Sequence, residues 1–324
     1  SDPAAPDREI WRGAASRAHL DRAIAASREA LPAWSRLPME KRVEYLRRWQ
    51  QLTRDHAEFL AGLITDEMGK TIAESRLEAK ALADKVDITL DPISLSRVTG
   101  YDVPAGGSRD GHCRFRPHGV MAVVGPFNFP AHLANGHFVP ALLLGNTVIL
   151  KPSEKTPAVG QALAELMGQV GLPPGVFNVV QGGPAIATHL VGHPDIDGIL
   201  FTGSWPVGRR ILEMNLDRPG RIIALEMGGN NPTIVMPSAN LKQAVVECVR
   251  AGFSTTGQRC TCTRRIIVHR AIADTFVPLF CKVASTLLVG PGRGPEPVFM
   301  GPLVTESAAD AVLRFQSGVA ARGG

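Results

Sequence analysis

A chain of 324 residues, 44% hydrophobic and 20% charged, has enough apolar material for about two ordinary cores, which excludes a disordered or fibrous protein. The net charge of +5 is spread over stretches such as "EKRVEYLRRW", where signs alternate along a helix-like face, so a solvated surface is expected and a nucleic-acid partner is not. No apolar run reaches the roughly 18 residues a membrane span needs, the start "SDPAAPDREIW" lacks a signal-peptide pattern, and five irregularly placed cysteines suit reduced thiols, so a soluble cytoplasmic protein is expected.

From Leu20 to about Lys85 apolar residues recur at three-to-four spacing, as in Leu20, Ala23, Ile24 and Leu31, which predicts helices with a stop at Gly69. The segment "GYDVPAGGSRDGHCRFR", residues 100–116, is rich in turn formers and charge and predicts extended strands joined at the Gly-Gly pair. After His118 come short β-branched runs, "GVMAVVG", "NTVILK", "GVFNVVQGG", "DGILFTGS" and "RIIALEMGG", separated by amphipathic stretches long enough for helices. That alternation predicts an α/β fold with a parallel sheet covered by helices. A second series, "PTIVM", a helix near 240–253, "RRIIVH" and a helix to about 288, places a domain boundary near Gly229.

Ligands of parallel sheets bind beyond the carboxyl ends of the strands, so those ends are where chemistry is sought. In "GPFNFP" Asn128 sits between two prolines that restrict the backbone; it suits an oxyanion donor, or simply satisfies the turn. In "KPSEKTP" Lys151 and Glu154 could hold the hydroxyls of a ribose, or form a charged loop capped by Ser153. In "FTGSWPVG" Gly203, Ser204 and Gly208 surround a helix start whose backbone N–H groups suit a phosphate; neither a P-loop nor a G-x-G-x-x-G is present. Glu226 in "LEMGGNNP" could transfer a proton or cap a loop.

The stretch "TGQRCTCTRR" holds Cys260 and Cys262. A metal site would need further ligands at fixed spacing, and a disulfide between residues i and i+2 is strained. One nucleophile beside Arg259, or two inert thiols, remain as the readings, and pattern does not separate them.

Taken in order, "GPFNFP", "KPSEKTP", "FTGS", "LEMGGNNP" and "GQRC" resemble the aldehyde dehydrogenase superfamily along essentially the whole chain. The resemblance implies Cys260 as nucleophile, Glu226 as general base and Asn128 as oxyanion donor with the Cys260 N–H. It implies NAD as cofactor, held by Lys151, Glu154, Gly203, Ser204, Gly208 and Phe127, and no metal. Glu154 would repel a 2′-phosphate, which favours NAD over NADP. The wording "NFPAHLANGHFVPALLLGNTV", "ALEMGGNNP" and "GQRCTCTRR" further resembles members acting on a semialdehyde with two carboxylates, for which His132, Asn135 and Arg259 are candidate contacts.

The implied domains are an NAD-binding domain over 1–98 and 118–229, a bridging segment over 99–117 and a catalytic domain from 230 to 324. Full-length relatives would form homodimers or homotetramers. The resemblance also implies more catalytic domain than this chain carries, so the expectation includes a partly uncovered core, and another semialdehyde dehydrogenase or a non-catalytic NAD-binding fragment stays open as an alternative.

Overall fold

The computed structural model describes residues 1–107 and 109–323. Ser108 of the segment expected to bridge subunits, and Gly324 at the end of the expected catalytic domain, lie outside the described residues. The chain divides into two compact units, one of Gly13–Leu60 and Leu77–Glu226, the other of Ser1–Arg12, Ala61–Arg76 and Met227–Gly324. Residues 1–12 and 61–76 therefore belong with the C-terminal unit, although the linear pattern grouped them with the sheet.

The helical spacing near the N-terminus becomes α1 (Arg17–Arg36), α2 (Met39–Asp55), α3 (Ala57–Met68) and α4 (Ile72–Leu90). Leu20, Ala23 and Ile24 of α1 and Leu46 and Trp49 of α2 are buried, because three-to-four spacing lines them up on one helix face. Gly69 ends α3 at φ +85°, a left-handed conformation that favours glycine. A short α5 (Pro92–Ser96) is capped by Asp91, whose side chain accepts the N–H of Ile93. The hairpin expected at 100–116 is β1 (Tyr101–Pro104) paired antiparallel with β2 (Asp110–Cys113), and its turn places Gly106 and Gly107 at φ +87° and +63°.

In the first unit β3 (Val120–Val124), β4 (Thr147–Lys151), β5 (Phe177–Val179), β6 (Gly198–Gly203) and β7 (Ile222–Met227) form a sheet in the order β5-β4-β3-β6-β7. β3 runs parallel to β4 and β6, and β4 parallel to β5. Every residue of β3 and β4 is buried, which is why these strands read as unbroken apolar runs. The crossovers carry α6 (His132–Leu143), α7 (Pro157–Val170), α8 (Pro184–Gly192) and α9 (Trp205–Glu213). Asp197 fixes the start of this sheet: its carboxylate accepts the N–H of Val120 at 2.8 Å and pairs with Arg28 of α1 at 2.6 Å.

The second unit pairs β8 (Asn231–Val235) parallel with β9 (Thr263–Val268). Helices α10 (Leu241–Phe253) and α11 (Arg270–Ala284) pack on them around Val235, Val245, Cys248, Val249 and Phe276. The alternate residues Ile234 and Ile267 are exposed, and α12 (Glu306–Ala320), capped by Thr305, follows.

Within the first unit, α6 carries a histidine whose charge state is coupled to folding. His137 Nε2 lies 2.8 Å from the Thr202 hydroxyl, and burial, with a smaller contribution from Lys85, lowers its pKa to about 4. An unfolded histidine titrates near 6.5, so the unfolded chain takes up the proton first. The stability from neutral His137 is thus complete above pH 6.5 and lost as pH falls through about 4, a span worth about 3 kcal/mol. Chemical denaturation across that window should show this slope, and His137→Asn should flatten it while wild-type and variant keep the same slope above pH 7.

Candidate active site

In the first unit the carboxyl ends of β3, β4 and β6 share one edge of the sheet, and the strand order reverses between β3 and β6. A crevice at such a reversal is where parallel sheets receive ligands, because the loops diverge there. The N–H of Gly125 donates to Lys151 O at 3.0 Å, which carries the β3–β4 ladder one step further before the chain leaves the sheet.

The loop after β3 holds Phe127 and Asn128, both half-buried. Asn128 Oδ1 accepts the Phe129 N–H at 3.0 Å, which orients the amide with its Nδ2 on the other side. The helix that follows is capped from a distance: Glu78 Oε1 of α4 accepts the N–H groups of Ala131 at 3.0 Å and His132 at 3.1 Å. A carboxylate there compensates the positive end of α6 and anchors the Asn128 loop.

The loop after β4 holds a buried cation. Lys151 has a side chain 4% exposed, and its Nζ donates to Pro152 O at 2.8 Å and to Glu154 Oε2 at 3.3 Å. Burial lowers the Lys151 pKa, and Glu154 opposes that shift. Glu154 itself is exposed, while Lys155 Nζ stands 4.6 Å from the centre of the Phe127 ring. Beyond β6, Ser204 is the extended N-cap of α9 and makes no side-chain cap, with Pro206 in the first turn. That helix start offers backbone donors to an anion, and Gly208 beneath it is buried. Glu226, near the end of β7, is exposed.

The second unit presents the thiols. A 3₁₀ turn, Ser254–Gly257, follows α10 with Thr255 and Thr256 at φ +55° and +56°. Glu74 Oε1 accepts both the N–H and the hydroxyl of Thr255 at 2.8 Å, and the Thr256 hydroxyl donates to Gly301 O at 2.8 Å. Beyond the turn Cys260 is exposed, whereas Cys262 is 2% exposed and its Sγ donates to Gly257 O at 3.1 Å. The two thiols left equivalent by the sequence are therefore different: one faces solvent and the other is sealed. All five cysteines are free among the described residues.

Asn231, at the start of β8, clamps this loop. Its Nδ2 donates to Cys260 O at 2.8 Å and to Cys262 O at 3.0 Å. Nothing in the sequence assigned a job to Asn231, Glu74 or Glu78. The doubled Asn in "GGNNP" was the one signal available, and it carried no geometry.

Of the predicted residues, Phe127, Asn128 and Glu154 lie in loops, Lys151 and Gly203 end β4 and β6, and Ser204 and Gly208 start and lie in α9, all in the first unit, while Cys260 with Arg259 lies on the loop of the second. His132 is half-buried at the start of α6, and Arg259 is half-buried with its carbonyl accepting the Cys262 N–H at 3.4 Å. Asn135 requires a correction. It is fully buried, its Oδ1 accepting Trp49 Nε1 at 2.8 Å and its Nδ2 donating to Leu82 O at 3.1 Å, so it braces helices and does not meet a substrate.

Alkylation followed by peptide mapping should label Cys260 well before Cys262 and Cys248. Removing the clamp with Asn231→Ala forfeits about 1 kcal/mol of hydrogen bonding and should raise Cys262 labelling about fivefold by letting the turn open.

The profile of the aldehyde dehydrogenase family matches residues 2–324. The chain is 43% identical over 318 residues to the N-succinylglutamate 5-semialdehyde dehydrogenase of Chromobacterium violaceum, covering 97% of this chain and 65% of that protein. Among solved structures, an indole-3-acetaldehyde dehydrogenase complexed with NAD+ superposes with a TM-score of 0.92 at 30% identity, covering 99% of this chain and 66% of that one. An NADP-dependent enzyme of E. coli gives 0.89 at 34% identity, covering 95% and 64%. The chain thus spans slightly less than two thirds of the length of each of these relatives. With a family match that runs from its second residue to its last, this chain belongs to the aldehyde dehydrogenase family.

Proposed function

We propose that the protein containing this chain oxidises an aldehyde to a carboxylate with NAD. We further propose that its substrate is N-succinylglutamate 5-semialdehyde, of the succinyl route of arginine breakdown. The observation that carries the reading is the exposed Cys260 thiol on a braced loop, in a chain 43% identical to a protein of that name.

The donors at the sheet edge suit a dinucleotide. Lys151 and Glu154 would take the hydroxyls of the adenosine ribose, and Ser204 with the first turn of α9 would receive the pyrophosphate, with Gly203, Gly208 and Phe127 beside them. When bound, the nicotinamide supplies the hydride acceptor. A carboxylate at the ribose disfavours a 2′-phosphate, which supports NAD over NADP.

The Cys260 thiolate adds to the aldehyde carbon, and charge gathers on the carbonyl oxygen. The Asn128 amide and the Cys260 N–H receive that charge, one such donor being worth about 3 kcal/mol. Oxidation leaves a thioester on the sulfur. Glu226 then removes a proton from water, the water oxygen attacks the thioester carbon, and the C–S bond breaks to release carboxylate and thiolate. His132 and Arg259 are proposed to meet the substrate carboxylates. In the same reading the dinucleotide domain of 1–98 and 118–229 binds through its sheet unit, Gly13–Leu60 and Leu77–Glu226, 230–324 belong to the catalytic domain, and the hairpin of 99–117 serves assembly into a homodimer or homotetramer.

Transient kinetics on the full-length protein test the roles. Glu226→Gln should keep a single burst of NADH and lower steady turnover about 10²- to 10⁴-fold, since only hydrolysis needs the base. Cys260→Ala should lose burst and turnover together, whereas Cys262→Ala should change little.

A steady-state panel tests the ligands. The succinylated semialdehyde with NAD should give the highest catalytic efficiency; preference for succinate semialdehyde or simple aliphatic aldehydes would overturn the substrate, and equal or better efficiency with NADP would overturn the cofactor.

A further inference from the structure

We propose that Asp21, His189 and His193 form a binding site for one divalent transition-metal ion of the zinc class. None of the three has a part in the oxidation proposed above, and all belong to the first unit. His189 lies in the last turn of α8 and His193 is its C-cap, so the four-residue spacing brings both imidazoles to one side of the helix. Asp21 arrives from the first part of α1, 168 residues away in sequence. One donor atom from each residue lies within 4.8 Å of the others. Ligands of a tetrahedral ion at 2.0–2.2 Å stand roughly 3.3–3.6 Å apart, so modest side-chain rotation completes the set.

The site is held in place before any ion arrives. His189 Nε2 is 2.8 Å from Asp21 Oδ1, and the two imidazoles meet edge to face with centroids 5.7 Å apart. The carbonyl of His193 accepts from Arg218 at 3.1 Å and Arg221 at 2.7 Å, which fixes the backbone beneath its ring. Asp195 lies against the same ring, its N–H 3.2 Å and its carboxylate 4.0 Å from Nδ1. The carboxyl end of α8 adds its partial negative charge.

His189 and His193 also line a cavity of about 590 Å³ that gives an ion a way in and leaves room for a water as fourth ligand. Arg17 and Arg210 line the same cavity, and their charge opposes a dication. Micromolar affinity is therefore expected, well short of a buried structural zinc site. An ion pair between Asp21 and His189 would account for two of the residues but gives no reason for His193 to bring a third donor to them.

The test is calorimetric titration of zinc into the untagged chain after its thiols are alkylated, since Cys260 and Cys281 are exposed and would compete. One ion per chain should bind, and the joint substitution His189→Ala with His193→Ala should weaken binding by at least about tenfold. Saturating zinc should raise the thermal midpoint of the wild-type chain and leave that of the double variant unmoved. Should the double variant not fold, His193→Gln alone, which retains an acceptor for the Asp195 N–H, should show the same loss. Unchanged affinity in the variants, or no binding up to millimolar zinc, would overturn the proposal and leave the dehydrogenase reading untouched.

Discussion

Cys260 is presented by a backbone that β-branched residues resist. Thr255, Thr256 and Gly257 follow one another at φ +55°, +56° and +68°. Each such threonine costs on the order of 1–3 kcal/mol and persists only where its surroundings over-determine it. Here they do. Thr255 is 1% exposed and gives both its N–H and its hydroxyl to Glu74, while Thr256 is tied to Gly301. Hydrogen bonds to a charged acceptor contribute about 1.5–3 kcal/mol apiece, comparable to the strain. From that turn the chain folds Cys262 back under Gly257 and leaves Cys260 outside, with Asn231 closing the loop from β8.

The sheet of the first unit obeys a different constraint. Parallel strands put their carboxyl ends on one edge, and a reversal of order like that between β3 and β6 is where the loops of such sheets diverge. Three loops 127–128, 151–154 and 203–208 come to that edge from three separate crossovers. Two are secured by a local device: Glu78 caps the helix after the first, and the buried ammonium of Lys151 ties the second to the Pro152 carbonyl and Glu154, while Gly208 below the third is buried.

Much of this was legible in the chain because local patterns carried it. Apolar runs of four to six residues marked β3, β4, β6 and β7, three-to-four spacing marked α1 and α2, and Gly106 and Gly107 marked the hairpin turn. Asn135 was misread for a physical reason. Its helix is apolar nearly all round, so spacing gave no inward face, and only the approach of Trp49 and Leu82 shows its amide consumed inside. His137, two residues on, reveals its burial in the same way, by its contact with Thr202.

By itself the sequence determined the strand and helix order, the parallel sheet and the family, since these rest on short-range periodicity and on motifs that survive as strings. It could not tell Cys260 from Cys262, give Asn231 and Glu74 their tasks, or bring Asp21 to His189 and His193. Those were decided by tertiary structure, because burial and hydrogen bonding depend on which distant segments pack together. Two thiols one residue apart acquire different chemistry only when a strained turn sends one inward and the other to the surface.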